Sequence, residues 1–217
     1  MMLDVAAVGF DFDHTLGIDH RLERDVALEI LGGHDEQRVN EALAAFRSGS
    51  QTIADAMEAI GVDVRRFREL VLERAPRYVE ALPGARDIAA TLQARGLTVA
   101  ILSNGWSPLQ ELKAKLIGFP GPVLVSEVIG IRKPNVEAFR SLERVLGVPA
   151  ARAAYVGDEP EIDVAGALWA GMKAVWFDWE GKTYPQHVVP PTLRISSLVE
   201  LAQALPGPVS GAAKPTA

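Results

Sequence analysis

Short apolar runs alternate along most of this chain with longer segments of helical period, and that alternation restricts the fold more than any other feature. The runs cover residues 5–12, 97–102, 123–125, 153–156 and 174–177. They are continuously apolar and partly β-branched, the pattern of strands buried on both faces. Helical periods fill residues 85–95, 108–117, 135–146 and 162–170, and Gly96, Gly118, Gly147 and Gly171 stand where those helices would stop. Strand and helix repeated in this way predict an α/β fold, a Rossmann-like parallel sheet with helices on both faces. Such sheets place their ligands outside the carboxyl ends of the strands.

The rhythm breaks between residues 17 and 82. Only helical periods occur there: Leu22, Val26 and Ile30; then Val39, Leu43 and Phe46; then Phe67, Leu70, Val71 and Tyr78. Gly32, Gly33, Gly49 and Gly61 punctuate the stretch, and Pro83 and Gly84 mark the return to the sheet. The prediction is a four-helix insertion, residues 17–82, in a core built from residues 1–16 and 83–205. Residues 206–217 are Pro, Gly and Ala-rich and are expected to form a flexible tail.

The bulk numbers exclude several functions. A net charge of −6 without a basic run offers no footprint for nucleic acid or an anionic membrane. Cysteine is absent, so thiolate metal sites and cysteine nucleophiles are excluded, and any metal must sit on oxygen or imidazole. No stretch approaches the roughly 20 apolar residues that span a bilayer. A soluble, cytoplasmic protein with a small-molecule partner is expected, while the oligomeric state is not legible.

The chemistry lies at the predicted strand ends. Asp11 and Asp13 follow the first run, where an extended backbone points both side chains the same way. Two such acids either brace the following turn or share a cation. Gly157-Asp158-Glu159-Pro160-Glu161-Ile162-Asp163 follows the fourth run and opens a helix. Acids there favour the helix dipole, or supply the hard oxygen ligands that suit magnesium, which takes only one or two protein carboxylates. Ser103-Asn104-Gly105 could turn a hydroxyl and backbone N–H groups toward an anion, and Lys133, before another helix, is either a surface lysine or a charge-neutralising ammonium.

In their order and placement these four elements resemble the haloacid dehalogenase superfamily of hydrolases, whose motifs are an Asp-x-Asp pair, a Ser or Thr, a Lys and a late acidic Gly-Asp cluster. The similarity spans about residues 5–178, and the insertion is similar to the family's helical C1-type cap. The resemblance implies a phosphatase that uses Mg2+ and hydrolyses a small phosphorylated metabolite through an aspartyl-phosphate. Asp11 is then the nucleophile, Asp13 the general acid and base, and Lys133 the neutralising amine; Thr15, Ser103, Asn104 and Lys133 bind phosphate. Magnesium falls to Asp11, Asp158 and the main-chain carbonyl of Asp13, with Asp163 supporting the metal or the lysine. The family's metal-free dehalogenases lack the second aspartate. A phosphosugar mutase of the same fold and a non-catalytic binding protein are the other readings.

His14 stands where related phosphatases often have glycine, and is expected to face solvent. In the insertion, Arg21, Arg24, Arg47 and Gln51 are candidate substrate contacts. Trp106 reads as a pocket wall or a core residue, and Trp176, Phe177 and Trp179 as a contact surface or core.

Overall fold

The computed structural model describes residues 2–19 and 21–205. In chain order its elements begin with β1 (Ala7–Phe10), β2 (Gly17–Ile18), α1 (Leu22–Ile30), α2 (Glu36–Ser48), α3 (Ile53–Ala59), α4 (Val64–Tyr78) and β3 (Glu80–Ala81). Next come α5 (Ala85–Ala94), β4 (Thr98–Ser103), α6 (Leu109–Leu116), β5 (Val123–Val125), α7 (Ser126–Ile129) and α8 (Val136–Leu146). The last are β6 (Ala153–Gly157), α9 (Ala165–Trp169), β7 (Lys173–Phe177), β8 (Leu193–Ile195) and α10 (Leu198–Ala204).

A six-stranded sheet in the order β5-β4-β1-β6-β7-β8 forms the centre, and every pair of neighbours is parallel. Buried parallel strands must feed both faces, and their residues do so with period two. Val8, Phe10, Val99, Ile101, Ala154 and Val156 pack against α5 and α10 on one face. Ala7, Ala100, Leu102, Ala153, Tyr155 and Trp176 pack against α8 and α9 on the other. The chain builds outward from β1 to β4 and β5, then crosses to β6, so the order reverses beside β1. That reversal opens a crevice at the carboxyl end of β1, between β4 and β6.

β8 and α10 were not legible as periodic segments. Leu193–Ile195 is three residues long and carries Arg194 at its centre, too little for a pattern to register. The helix expected over residues 162–170 starts as a turn of π-helix, Pro160–Val164, before α9. Trp176 and Phe177 belong to the two core faces, and Trp179 is half-buried with its indole N–H donating to the carbonyl of His14 at 2.8 Å. The contact-surface reading of these aromatics is therefore corrected to core.

Helices α1 to α4 fill the break in the alternation, and the antiparallel β2–β3 ribbon closes the base of this helical cap. Val26, Leu43, Met57, Phe67 and Val71 form its centre. The same apolar cluster continues into the sheet domain through Trp106 and Leu109, at the start of α6. Trp106 is 1% exposed, with its ring 6.4 Å from that of Phe67 and the Arg68 guanidinium 4.9 Å over it. Among the described residues no helix is long and apolar enough to cross a membrane. The expected tail, residues 206–217, lies outside the described residues.

Candidate active site

At the crevice beside β1 the structure places a cavity of about 420 Å³, lined from the sheet side by Asp11, Asp13, Ser103, Asn104 and Lys133. Asp11 follows β1 directly, and its N–H continues the ladder to Val156 at 2.8 Å, which holds the side chain at the strand's mouth. Lys133 reaches it from the loop before α8. Its ammonium donates to Asp11 Oδ1 and Asp163 Oδ1, each at 2.7 Å, and to the Tyr155 hydroxyl at 2.9 Å. The Tyr155 hydroxyl donates its own hydrogen bond to the Leu102 carbonyl at 2.8 Å and so accepts from the lysine, which has three oxygen partners. Asn104 fastens the loop reciprocally: its Oδ1 accepts from the Lys133 N–H and its Nδ2 donates to the Lys133 carbonyl, both at 2.9 Å.

One cation faces an excess of carboxylate. Burial pushes Asp11 well above the usual carboxylate range, an effect that Lys133 opposes and that Asp163, Asp158 and Asp13 reinforce. Burial likewise raises Asp158 to about 7, helped by Asp163 and Glu159. Lys133 is driven well above its ordinary value because Asp11 and Asp163 outweigh the desolvation that would lower it. Asp11, Asp158 and Asp163 each offer a ligand atom, and these atoms lie within 4.8 Å of one another. Asp163 is engaged at both oxygens, by Lys133 and by the Glu159 N–H at 3.1 Å, which leaves Asp11 and Asp158 better placed to offer an oxygen to a cation. An all-oxygen set with surplus negative charge fits a hard divalent ion.

Asp163 comes this close because position 157 is glycine. A Cβ there would fall 2.3 Å from Asp163 Oδ2. Lys182, from the loop after β7, approaches Asp158 at 3.6 Å. That loop is pinned by Asp178, which accepts from the Lys182 N–H at 2.7 Å and pairs with Arg194.

The Asp13 carboxylate stands apart from the three-acid group. Lys113 donates to its Oδ1 at 2.9 Å and Gln110 to its Oδ2 at 3.0 Å, both from α6. Burial works to raise Asp13, but these two donors outweigh it and hold the group below its ordinary value. Its part in the expected metal set is its main-chain carbonyl, not this side chain.

The remaining expected residues divide. Ser103 lines the cavity, buried at the end of β4. Thr15 is 0% exposed, is not part of the lining, and has a hydroxyl with no hydrogen-bond partner among the described residues. His14 adopts a φ of 60°, left-handed backbone that glycine takes most easily, and it is half-buried in the cavity wall rather than facing solvent. Of the cap candidates, Arg47 lines the cavity, and Arg132 donates to its carbonyl at 3.1 Å. Arg21 and Arg24 do not line it, and Arg24 is paired with Asp25 and Glu36. Gln51 opens onto a neighbouring groove of about 360 Å³. Trp106 is both core and wall, since its indole N–H donates at 2.6 Å to Glu23, which shares the cavity.

Gln110, Lys113, Tyr155, Glu23 and Lys182 were not anticipated. The first two carried a signal: residues 110, 113, 114 and 117 share one helical face, and polar side chains beside Ala114 and Ile117 on a buried face need partners.

Residues 5–171 match the family model described as a haloacid dehalogenase-like hydrolase. The chain belongs to that family. It is 37% identical over 188 residues to a phosphoserine phosphatase of Thermus thermophilus, covering 82% of this chain and 75% of the relative. A pyrimidine 5'-nucleotidase, YjjG, of Escherichia coli is 27% identical over 90% of this chain and 92% of its own. Among solved structures, a haloacid dehalogenase-type phosphatase of Thermococcus onnurineus superposes with a TM-score of 0.74 at 25% identity, covering 92% of this chain and 97% of that one.

Proposed function

We propose that this chain, a phosphatase of the haloacid dehalogenase type, hydrolyses the phosphomonoester of a small metabolite by a magnesium-dependent route through Asp11. The observation that carries this reading is the position of the Asp11 carboxylate at the mouth of β1, 2.7 Å from a buried lysine and grouped with Asp158 and Asp163. Asp11 attacks phosphorus in line, its Oδ–P bond forming as the ester P–O bond breaks. Lys133 and the Ser103 hydroxyl face the phosphoryl oxygens, and Asp13 gives a proton to the leaving oxygen. In the second half Asp13 takes a proton from water as the water oxygen bonds to phosphorus and the aspartyl-phosphate opens. Asp11, Asp158 and the Asp13 carbonyl would hold magnesium, which would supply further positive charge against the phosphoryl oxygens. The cap residues Glu23, Phe46 and Arg47 face the leaving group and limit water at the cavity mouth.

The relatives named for phosphoserine and for pyrimidine nucleotides support a phosphorylated metabolite as substrate class. Asp13 supports phosphoryl rather than carbon–halogen chemistry, since a displaced halide needs no proton. With 4-nitrophenyl phosphate and a panel of metabolite phosphates, wild-type protein should release phosphate only with magnesium. Asp11→Asn should lower that rate by at least about 10³-fold at unchanged thermal stability. Retained turnover in a folded Asp11→Asn protein would sink the mechanism.

A further inference from the structure

Lys113 is 3% exposed and Gln110 is equally buried, yet neither belongs to the four strand-end clusters. Lys113 Nζ lies 2.9 Å from Asp13 Oδ1 and 2.6 Å from Asp19 Oδ2. Asp19 follows β2 and leads toward α1, so the ammonium ties the sheet domain's Asp13 to the entry of the cap. Gln110, three residues earlier on α6, takes the other Asp13 oxygen at 3.0 Å.

A carboxylate held by one donor can still swing about its Cβ–Cγ bond. Held at both oxygens by donors from one helix, its plane is set. The clamp is itself held: Asp19 also pairs with the lysine, and the side chain of Lys113 is 4% exposed while that of Asp13 is 35% exposed. A proton-transfer group must lie within hydrogen-bond reach of the atom it serves, and a misplacement near 1 Å costs on the order of 10²-fold in rate.

We infer that Lys113 and Gln110 are positioning residues for proton transfer, a two-donor clamp that orients the Asp13 carboxylate toward the ester oxygen and the attacking water. This rests on the role assigned to Asp13 above. The two steps use opposite protonation states of Asp13. In the first, Asp13 takes up a proton from solvent, against the two donors that favour its ionised form, and gives it to the leaving oxygen as the P–O bond breaks; in the second, the ionised carboxylate takes the water proton as the new P–O bond forms. Neither clamp residue gives up a proton.

The test is a leaving-group series of aryl phosphates, from 4-nitrophenyl to phenyl to 4-methylphenyl phosphate, read as kcat/KM, which reports events through phosphorylation of Asp11. A good leaving group departs without a proton, so misplacing Asp13 should spare 4-nitrophenyl phosphate and penalise the others. Asp13→Asn should show this discrimination. Lys113→Met and Gln110→Met should show it too, with phenyl phosphate losing about tenfold or more beyond the loss on 4-nitrophenyl phosphate. Combining Lys113→Met with Asp13→Asn should add little to Asp13→Asn alone, because one acts through the other. Equal losses across the series, or additive losses in the double variant, overturn the clamp and leave Lys113 as a structural counter-ion. Gln110→Met, which removes a neutral donor, carries the comparison if Lys113→Met does not fold. No discrimination in Asp13→Asn overturns the role of Asp13 itself, and the clamp falls with it.

Discussion

At the scale of single residues, the site is a set of close approaches that tolerate little added volume. Gly157 illustrates this. It ends β6 where Asp163 must lie over the strand to reach Lys133, and a methyl group 2.3 Å from the Asp163 carboxylate would push that acid aside. Gly157→Ala is therefore expected to lower magnesium-dependent turnover by about tenfold or more, and to cost about 1–3 kcal/mol in urea unfolding through overpacking. Wild-type turnover in that variant would show that Asp163 does not hold the lysine during catalysis. The glycine and both acids are visible in the sequence within one seven-residue cluster. Their roles are not, because Asp158 and Asp163 differ only in what lies opposite: Asp158 faces the acid group and Lys182, and Asp163 faces Lys133.

At the scale of elements, α6 links the cap to the site. Trp106, in the loop just before it, and Leu109, at its start, meet the cap's apolar cluster, while Gln110 and Lys113 face Asp13. Removing the indole opens a cavity between α4 and α6 and strips Glu23 of its N–H donor, so Trp106→Ala should cost about 3–5 kcal/mol. Trp106→Phe keeps most of the volume and drops the N–H, and should cost about 1–3 kcal/mol, the range for leaving a buried acceptor unpaired. Chemical denaturation of both variants checks this; equal costs would mean that packing against Phe67 contributes nothing beyond the hydrogen bond. The helical period of α6 was plain from residues 108–117. Its double allegiance was not, since the period shows which residues share a face and not what the face meets.

At the scale of the whole molecule, stability and metal binding are linked. Three acids gathered around one lysine disfavour the folded state until a cation joins them. Magnesium at a hundredfold excess over its dissociation constant should stabilise the fold by about 2.7 kcal/mol and raise Tm by roughly 5–10 °C in a thermal scan. Asp158→Asn should reduce that shift, and an unchanged shift in the variant would remove Asp158 from the ligand set. Much of the architecture behind this was written in the chain itself. Continuous apolar runs dictate buried parallel strands, helical periods between them dictate crossovers, and the acids and the hydroxyl stand at predicted strand ends and Lys133 before a predicted helix, because local periodicity and punctuation are properties of neighbouring residues. Only the tertiary structure decided which strand ends meet at the order reversal beside β1, that Lys133 joins Asp11 to Asp163, and that Lys113 reaches Asp13 across 100 positions of chain. Such pairings depend on how layers stack and where crossovers return, and no local pattern in a single sequence encodes that distance.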